Sequence, residues 1–125
     1  MSAPTATVVA AGSIEFVAGS ADDIVIPLFD ATGAGVDVAG WAGRLEIRYA
    51  SGHPLLLAAW ATADATMRLE NSSAVLVVDA ALAGASLLWE WRLAWYDLAL
   101  RAPNGRPARP HRGIARVIPP ITATI

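Results

Sequence analysis

Few residues in this chain are of types that do chemistry, and their spacing argues against most of the chemistry they could do. The histidines are His53, inside a Ser51-Gly52-His53-Pro54 turn, and His111, set among arginines. Neither has a serine or carboxylate partner at a recognisable offset, and two imidazoles do not make a histidine-rich metal site. Asp22 and Asp23, with Asp30 further on, form at most a weak cation site. They lack the Asp-x-Asp-x-Asp-Gly order of a calcium loop and read more simply as solvated charges at strand ends. No Gly-x-Ser-x-Gly elbow surrounds a serine. All nine basic residues are arginine, so a phosphate-binding loop has no lysine to complete it. Cysteine is absent, which removes disulfides and thiolate chemistry together. The expectation is a protein that is not an enzyme and needs no cofactor or metal.

What remains is a concentration of large rings. Residues 87–101, Leu-Leu-Trp-Glu-Trp-Arg-Leu-Ala-Trp-Tyr-Asp-Leu-Ala-Leu-Arg, hold three of the five tryptophans and one of the two tyrosines. Each such ring buries roughly 150–250 Å², so this stretch dominates the apolar content of a small domain. Two periods compete in it. As a strand it puts Glu90, Arg92, Ala94, Tyr96, Leu98 and Leu100 on one face and Trp89, Trp91, Leu93, Trp95 and Asp97 on the other. As a helix it aligns Leu88, Trp91, Trp95 and Leu98 in a stripe and pairs Asp97 with Arg101. Aromatic richness favours the strand, whereas leucine and alanine do not.

The elements around that stretch read as short strands. Ile24, Ile26 and Leu28 share one face of a strand over 23–29, with Pro27 marking an edge or a bulge because it cannot donate to a ladder. Arg44, Glu46 and Arg48 alternate with Leu45, Ile47 and Tyr49, the pattern of a half-buried strand with a charged outer face. Turns follow at Ser51–Pro54 and Asn71–Ser73, and Leu55 to Trp60 runs back as the second arm of a hairpin. Met67 to Glu70 and Ala74 to Val78 read as further strands. Asp79 reads as the N-cap of a single helical turn over Ala80–Ala83, closed by Gly84. Pro103-Asn104-Gly105 is a turn, and His111 to Ile118 is the last strand. Turns at intervals of about 8–12 residues argue for one all-β sandwich domain.

Composition sharpens this picture. Apolar residues make up 55% of the 125 and charged ones 16%. That balance fits either a core rich in alanine and valine or a subunit that hides surface against neighbours. Glu90 and Arg92 interrupt the best candidate for a membrane span, and the first twelve residues carry no basic n-region of a signal peptide. The expectation is a soluble protein made in the cytoplasm, without membrane contact. Charge is polarised along the chain: residues 1–43 hold Glu15, Asp22, Asp23, Asp30 and Asp37 and no basic group, whereas 101–125 hold Arg101, Arg106, Arg109, Arg112 and Arg116 and no acidic one. These ends either neutralise each other within one subunit or complement each other between copies or partners. A net charge of −2, with arginines and aromatics on different stretches, argues against nucleic acid.

The order of motifs is familiar. An apolar strand leads to Val36-Asp37-Val38-Ala39-Gly40, then to an alternating strand ending in Arg48. A short helical turn precedes Tyr96-Asp97-Leu98, and an Asn-Gly hairpin precedes Arg112-Gly113-x-x-x-Val117 and Ile121-Thr122. Over residues 14–122 this resembles a small β-sandwich module of tailed-phage and prophage structural proteins, whose members include the N-terminal immunoglobulin-like domain of phage baseplate upper proteins.

The resemblance implies an immunoglobulin-like antiparallel β-sandwich of about seven to eight strands, with at most one short helical turn and a strand at 87–101. It divides the chain into an arm (1–13), the sandwich (14–122) and a tail (123–125). It also implies a virion protein of the tail, tail tip or baseplate, acting by assembly with other virion proteins and with copies of itself. A capsid decoration or head–tail joining protein is the alternative. A small carbohydrate-binding sandwich, using Trp41, Trp89, Trp91 or Trp95 as sugar platforms, is another. With Tyr96 and Leu98 facing inward, strand phase puts Trp91, Leu93 and Trp95 outward as interface candidates, unless a β-bulge near Trp95 swaps the phase. The segregated charges add Asp22, Asp23, Arg106, Arg109 and Arg112.

Overall fold

The computed structural model describes residues 9–10, 13–50, 52–108 and 111–119. They form two sheets that share one core. The smaller runs β1 (Val9–Ala10), β3 (Ile24–Phe29), β7 (Ser73–Leu76), β6 (Met67–Glu70). The larger runs β2 (Ile14–Val17), β9 (His111–Ile118), β8 (Leu93–Arg101), β4 (Ala42–Arg48), β5 (Ala58–Ala61). A 3-10 turn (Thr62–Asp64) joins β5 to β6, and a helix, α1 (Ala80–Ser86), joins β7 to β8. The fold is mostly β and sandwich-like.

Alternation explains which residues close the core. Leu45 and Ile47 on β4 stand opposite Leu98 and Tyr96 on β8, and all four are at most 1% exposed. Ile26, Leu28, Ala74 and Leu76 meet them from the other sheet. Tyr96 also pairs with Gly113 on β9, where a Cβ would lie 2.5 Å from the ring. The tyrosine therefore occupies the space that a side chain at 113 would need. Phe16 on β2 and Trp60 on β5 stack with centroids 5.3 Å apart, although these are the two edges of the sheet. The larger sheet thus coils around the core and leaves β8 along its crest. Trp60 also donates its indole N–H to the carbonyl of Val77, 3.1 Å away, and so ties the sheets together.

Val9–Ala10 pairs with β3 as a short strand. Three expectations need correcting. The sandwich is not wholly antiparallel, because β2 runs parallel to β9 from Ile14↔Ala115 to Val17↔Ile118. Pro27 lies on a strand with neighbours on both sides. Leu28 sends its N–H to Ser72, so the Pro27 nitrogen faces away from β7 and is not asked to donate to that ladder. The helical segment is longer than one turn, and a 3-10 turn accompanies it. Asp79 does cap α1, its carboxylate accepting from the Leu82 N–H at 2.8 Å, but Gly84 lies inside the helix, which ends at Ser86. Burial decides this. Ala83 and Ser86 sit on one buried face, and the Ser86 hydroxyl donates to the Ala83 carbonyl while accepting from the Gly19 N–H.

The largest correction concerns residues 87–101. The strand begins at Leu93, because the N–H groups of Leu87, Leu88 and Trp89 are already donated to the carbonyls of Gly84, Ala85 and Ser86. Groups used to finish a helix are not available to a ladder. The Arg92 guanidinium then donates to the carbonyls of Trp89 and Trp91 at 2.7 and 3.1 Å, and pairing starts where Val117 donates to the Arg92 carbonyl.

Candidate protein-interaction surface

β8 is the middle strand of the larger sheet, with two strands on each side. Its buried phase, Ala94, Tyr96, Leu98 and Leu100, is what the core demands, so the other phase must face out. Leu93 is 59% exposed and Trp95 45%. Trp95 stands between Ile114 on β9 and Arg48 on β4, and Leu93 stands beside Arg116. Val17 and Ile118, paired at the sheet edge, add exposed apolar surface.

Charged residues flank this band. One row of the outer face reads Arg112 on β9, Asp97 on β8 and Glu46 on β4. Arg112 Nε lies 2.7 Å from Asp97 Oδ1, and Glu46 lies 3.0 Å from Arg44 and 3.6 Å from Arg48. Arg48 is also fixed by donating to the His53 carbonyl at 2.9 Å. The face is therefore apolar at its centre and bordered by ion pairs, one between β9 and β8 and two within β4. Those pairs are exposed and stabilise the fold little, but they set the positions of their charges.

Of the residues singled out by sequence, the structure brings together Leu93, Trp95 and Arg112. Trp91 does not join them: it is 4% exposed, inside the core. No bulge is responsible, since β8 pairs without a break with both neighbours. Trp91 precedes the strand, so strand phase does not apply to it. Its ring stacks on Trp89 at 5.2 Å and meets the edge of Phe16 at 6.2 Å. Its indole N–H is buried with no hydrogen-bond partner among the described residues. Because Trp89 and Trp91 cover each other, they do not form the exposed coplanar pair that a sugar platform requires.

The remaining candidates lie apart. Arg106 is exposed in the turn between β8 and β9, and Arg109 lies outside the described residues. Asp22 and Asp23 precede β3 at the opposite end of the larger sheet. Asp22 accepts from the Ser20 hydroxyl at 2.9 Å, while Asp23 accepts from the Val78 N–H at 2.9 Å and lies 3.7 Å from Arg68. Asp23 and Arg112 thus each find a counter-ion outside the opposite terminal region. Sequence reasoning missed Ile114 and Arg48 as neighbours of Trp95. The alternation of Arg112, Ile114, Arg116 and Ile118 on one phase of the last strand was a usable signal.

Two hollows accompany this surface. A cleft of about 160 Å³ lies between β2 and α1, where Glu15, Asp22 and Asp23 surround Trp89 and Leu82. A broad groove of about 770 Å³, lined largely by alanine with Arg44 and Arg101, lies at the far end of β8. Several polar groups elsewhere on the molecule are engaged in local structure. Asp30 is held below the usual aspartate range by the Thr32 hydroxyl, and Asp64 by the Thr66 hydroxyl, each carboxylate closing its own turn. The His53 ring accepts from the Leu55 N–H at 3.1 Å, which keeps its turn in place. Burial pushes the Tyr96 phenol up from its ordinary value. What the arrangement can do chemically is bury apolar surface against another molecule. Comparison with protein-family models finds no match, and comparison with curated proteins finds none either.

Proposed function

We propose that this chain is a non-enzymatic structural protein of a tailed-phage particle, a component of the tail, tail tip or baseplate that is made in the host cytoplasm and acts by assembly. The observation that carries the reading is the outer face of β8. Leu93 and Trp95 stand exposed on the middle strand of a sheet whose outer side would ordinarily be polar. Tryptophan is among the residues most enriched at binding hot spots, and exposed apolar patches mark interaction sites. In a particle, many such contacts add by multivalency, so each can be modest.

The strand order supports an immunoglobulin-like version of the sandwich. Lettered in chain order, β1-β3-β7-β6 corresponds to A-B-E-D and β9-β8-β4 to G-F-C, with β5 as an added C′. The resemblance to phage sandwich modules over residues 14–122 supplies the particle. Mass spectrometry of purified particles, with copies per particle counted, tests the reading. A copy number matching tail or baseplate proteins supports it. A number matching the capsid shell moves the chain to a decoration role, a number matching the neck moves it to head–tail joining, and absence from particles overturns it.

A further inference from the structure

We propose that the outer face of the larger sheet seats a second copy of this chain, packed about a twofold axis that runs along β8. The inference deepens the assembly reading by naming the partner. It starts from the position of β8, which has two strands on either side, so a rotation about it exchanges β9 with β4 and β2 with β5. A self-complementary patch is what a twofold interface requires: residue i meets residue j, and j meets i.

The charges choose this axis over the alternative. Arg112 on β9 and Glu46 on β4 lie in the same row, one strand to either side of Asp97. Rotation about β8 lays Arg112 of each copy over Glu46 of the other and repeats the contact twice. The next row lays Ile114 over the aliphatic stem of Arg48, again twice, with Trp95 on Trp95 at the axis. Asp97 and Arg101, on the same outer phase of β8, also meet their own copies; each Asp97 is neutralised by its Arg112 at 2.7 Å, and the Arg101 pair lies at the end of the strand. A twofold across the strands at Trp95 fails on the same map. It lays Asp97 over Leu93 and Arg112 over Arg116, which sets a charge on an apolar side chain and a like pair face to face, with no Arg112–Glu46 contact to offset them.

The coiling of the sheet places β8 on the crest, so the contact is led by β9, β8 and β4. That geometry makes Trp95 the anchor and the dimer of the isolated chain weak. The other sheet offers no equivalent. Among the described residues its outer side carries Val25 and Pro27, and its strands hold no tryptophan.

The absence of cysteine makes the test clean. Sedimentation equilibrium over about 10–500 µM should show a monomer–dimer equilibrium. Trp95→Arg should weaken it by at least about thirtyfold, as loss of a hot spot does, while its thermal melt stays that of the parent. Ala99→Cys, with an exposed small side chain on the outer phase of β8, should be joined to its own copy by a short bis-maleimide. Under the axis across the strands these thiols would stand about 26 Å apart and would not be joined. Pro27→Cys, on the other sheet, should stay monomeric in the same reagent. A monomer throughout the range overturns the proposal, as does a dimer untouched by Trp95→Arg or a cross-link equal at positions 27 and 99. Particle mass spectrometry reads the assembly role separately: a chain found in particles yet monomeric in solution sinks the second copy and leaves the virion reading standing.

Discussion

Residues 87–92 and residues 93–101 are similar in composition and meet opposite fates. In the first region Trp89 and Trp91 turn inward, stack on each other and close one end of the core around Phe16. In the second Trp95 turns outward, 45% exposed, four residues after a tryptophan that is 4% exposed. The difference lies in where the backbone hydrogen bonds go. From Leu93 onward they go to β4 and β9, and side chains must alternate. Before Leu93 they finish α1, and side chains follow whatever the core accepts. Tryptophan content says that a stretch matters. The ladder decides which rings the protein keeps for itself and which it offers.

The strongest way to break this contrast is at its two tryptophans. Trp91→Ala should cost roughly 3–5 kcal/mol in a urea melt, as removal of a buried ring does, whereas Trp95→Ala should stay within about 0.5 kcal/mol. Equal losses would dissolve the division at Arg92. Within the strand, Leu98→Ala should cost roughly 2–5 kcal/mol and Glu46→Ala no more than about 0.5 kcal/mol, since Leu98 is 1% exposed and Glu46 lies on the outer face. Similar losses at the two sites would reverse the strand phase.

A finer probe is Gly113→Ala. The new methyl would lie 2.5 Å from the Tyr96 ring, so the pair must move apart, and overpacking of this kind costs about 1–3 kcal/mol. Tyr96→Leu in the same chain should recover part of it, a coupling that a double-mutant cycle reads directly.

The smallest effect is alkaline. Burial holds the Tyr96 phenol above its ordinary value of 10.0, so folding favours the neutral form. That contribution is complete below the unfolded value and fades as pH rises past it toward the folded one. Melting temperature should fall through that window in the parent chain and less in Tyr96→Phe.

The sequence by itself determined the sheet phases. At 24–28, 44–48 and 94–100 alternation with period two leaves one way to put the apolar residues inside, and Leu45, Ile47, Tyr96 and Leu98 are there. It also determined the Asp79 cap, because a carboxylate there meets free N–H groups at once. Leu93 and Trp95 were legible as outward residues for the same reason of phase. Trp91 was not, since phase extends only as far as the ladder, and the ladder's start depends on a helix whose length tertiary burial of Ala83 and Ser86 decides. The parallel pairing of β2 with β9 and the neighbours Ile114 and Arg48 around Trp95 were likewise decided by the tertiary structure. Local sequence specifies which way a side chain points from its own strand. Which strand lies alongside is set by closing one core with two sheets, where residues far apart in the chain compete for the same space.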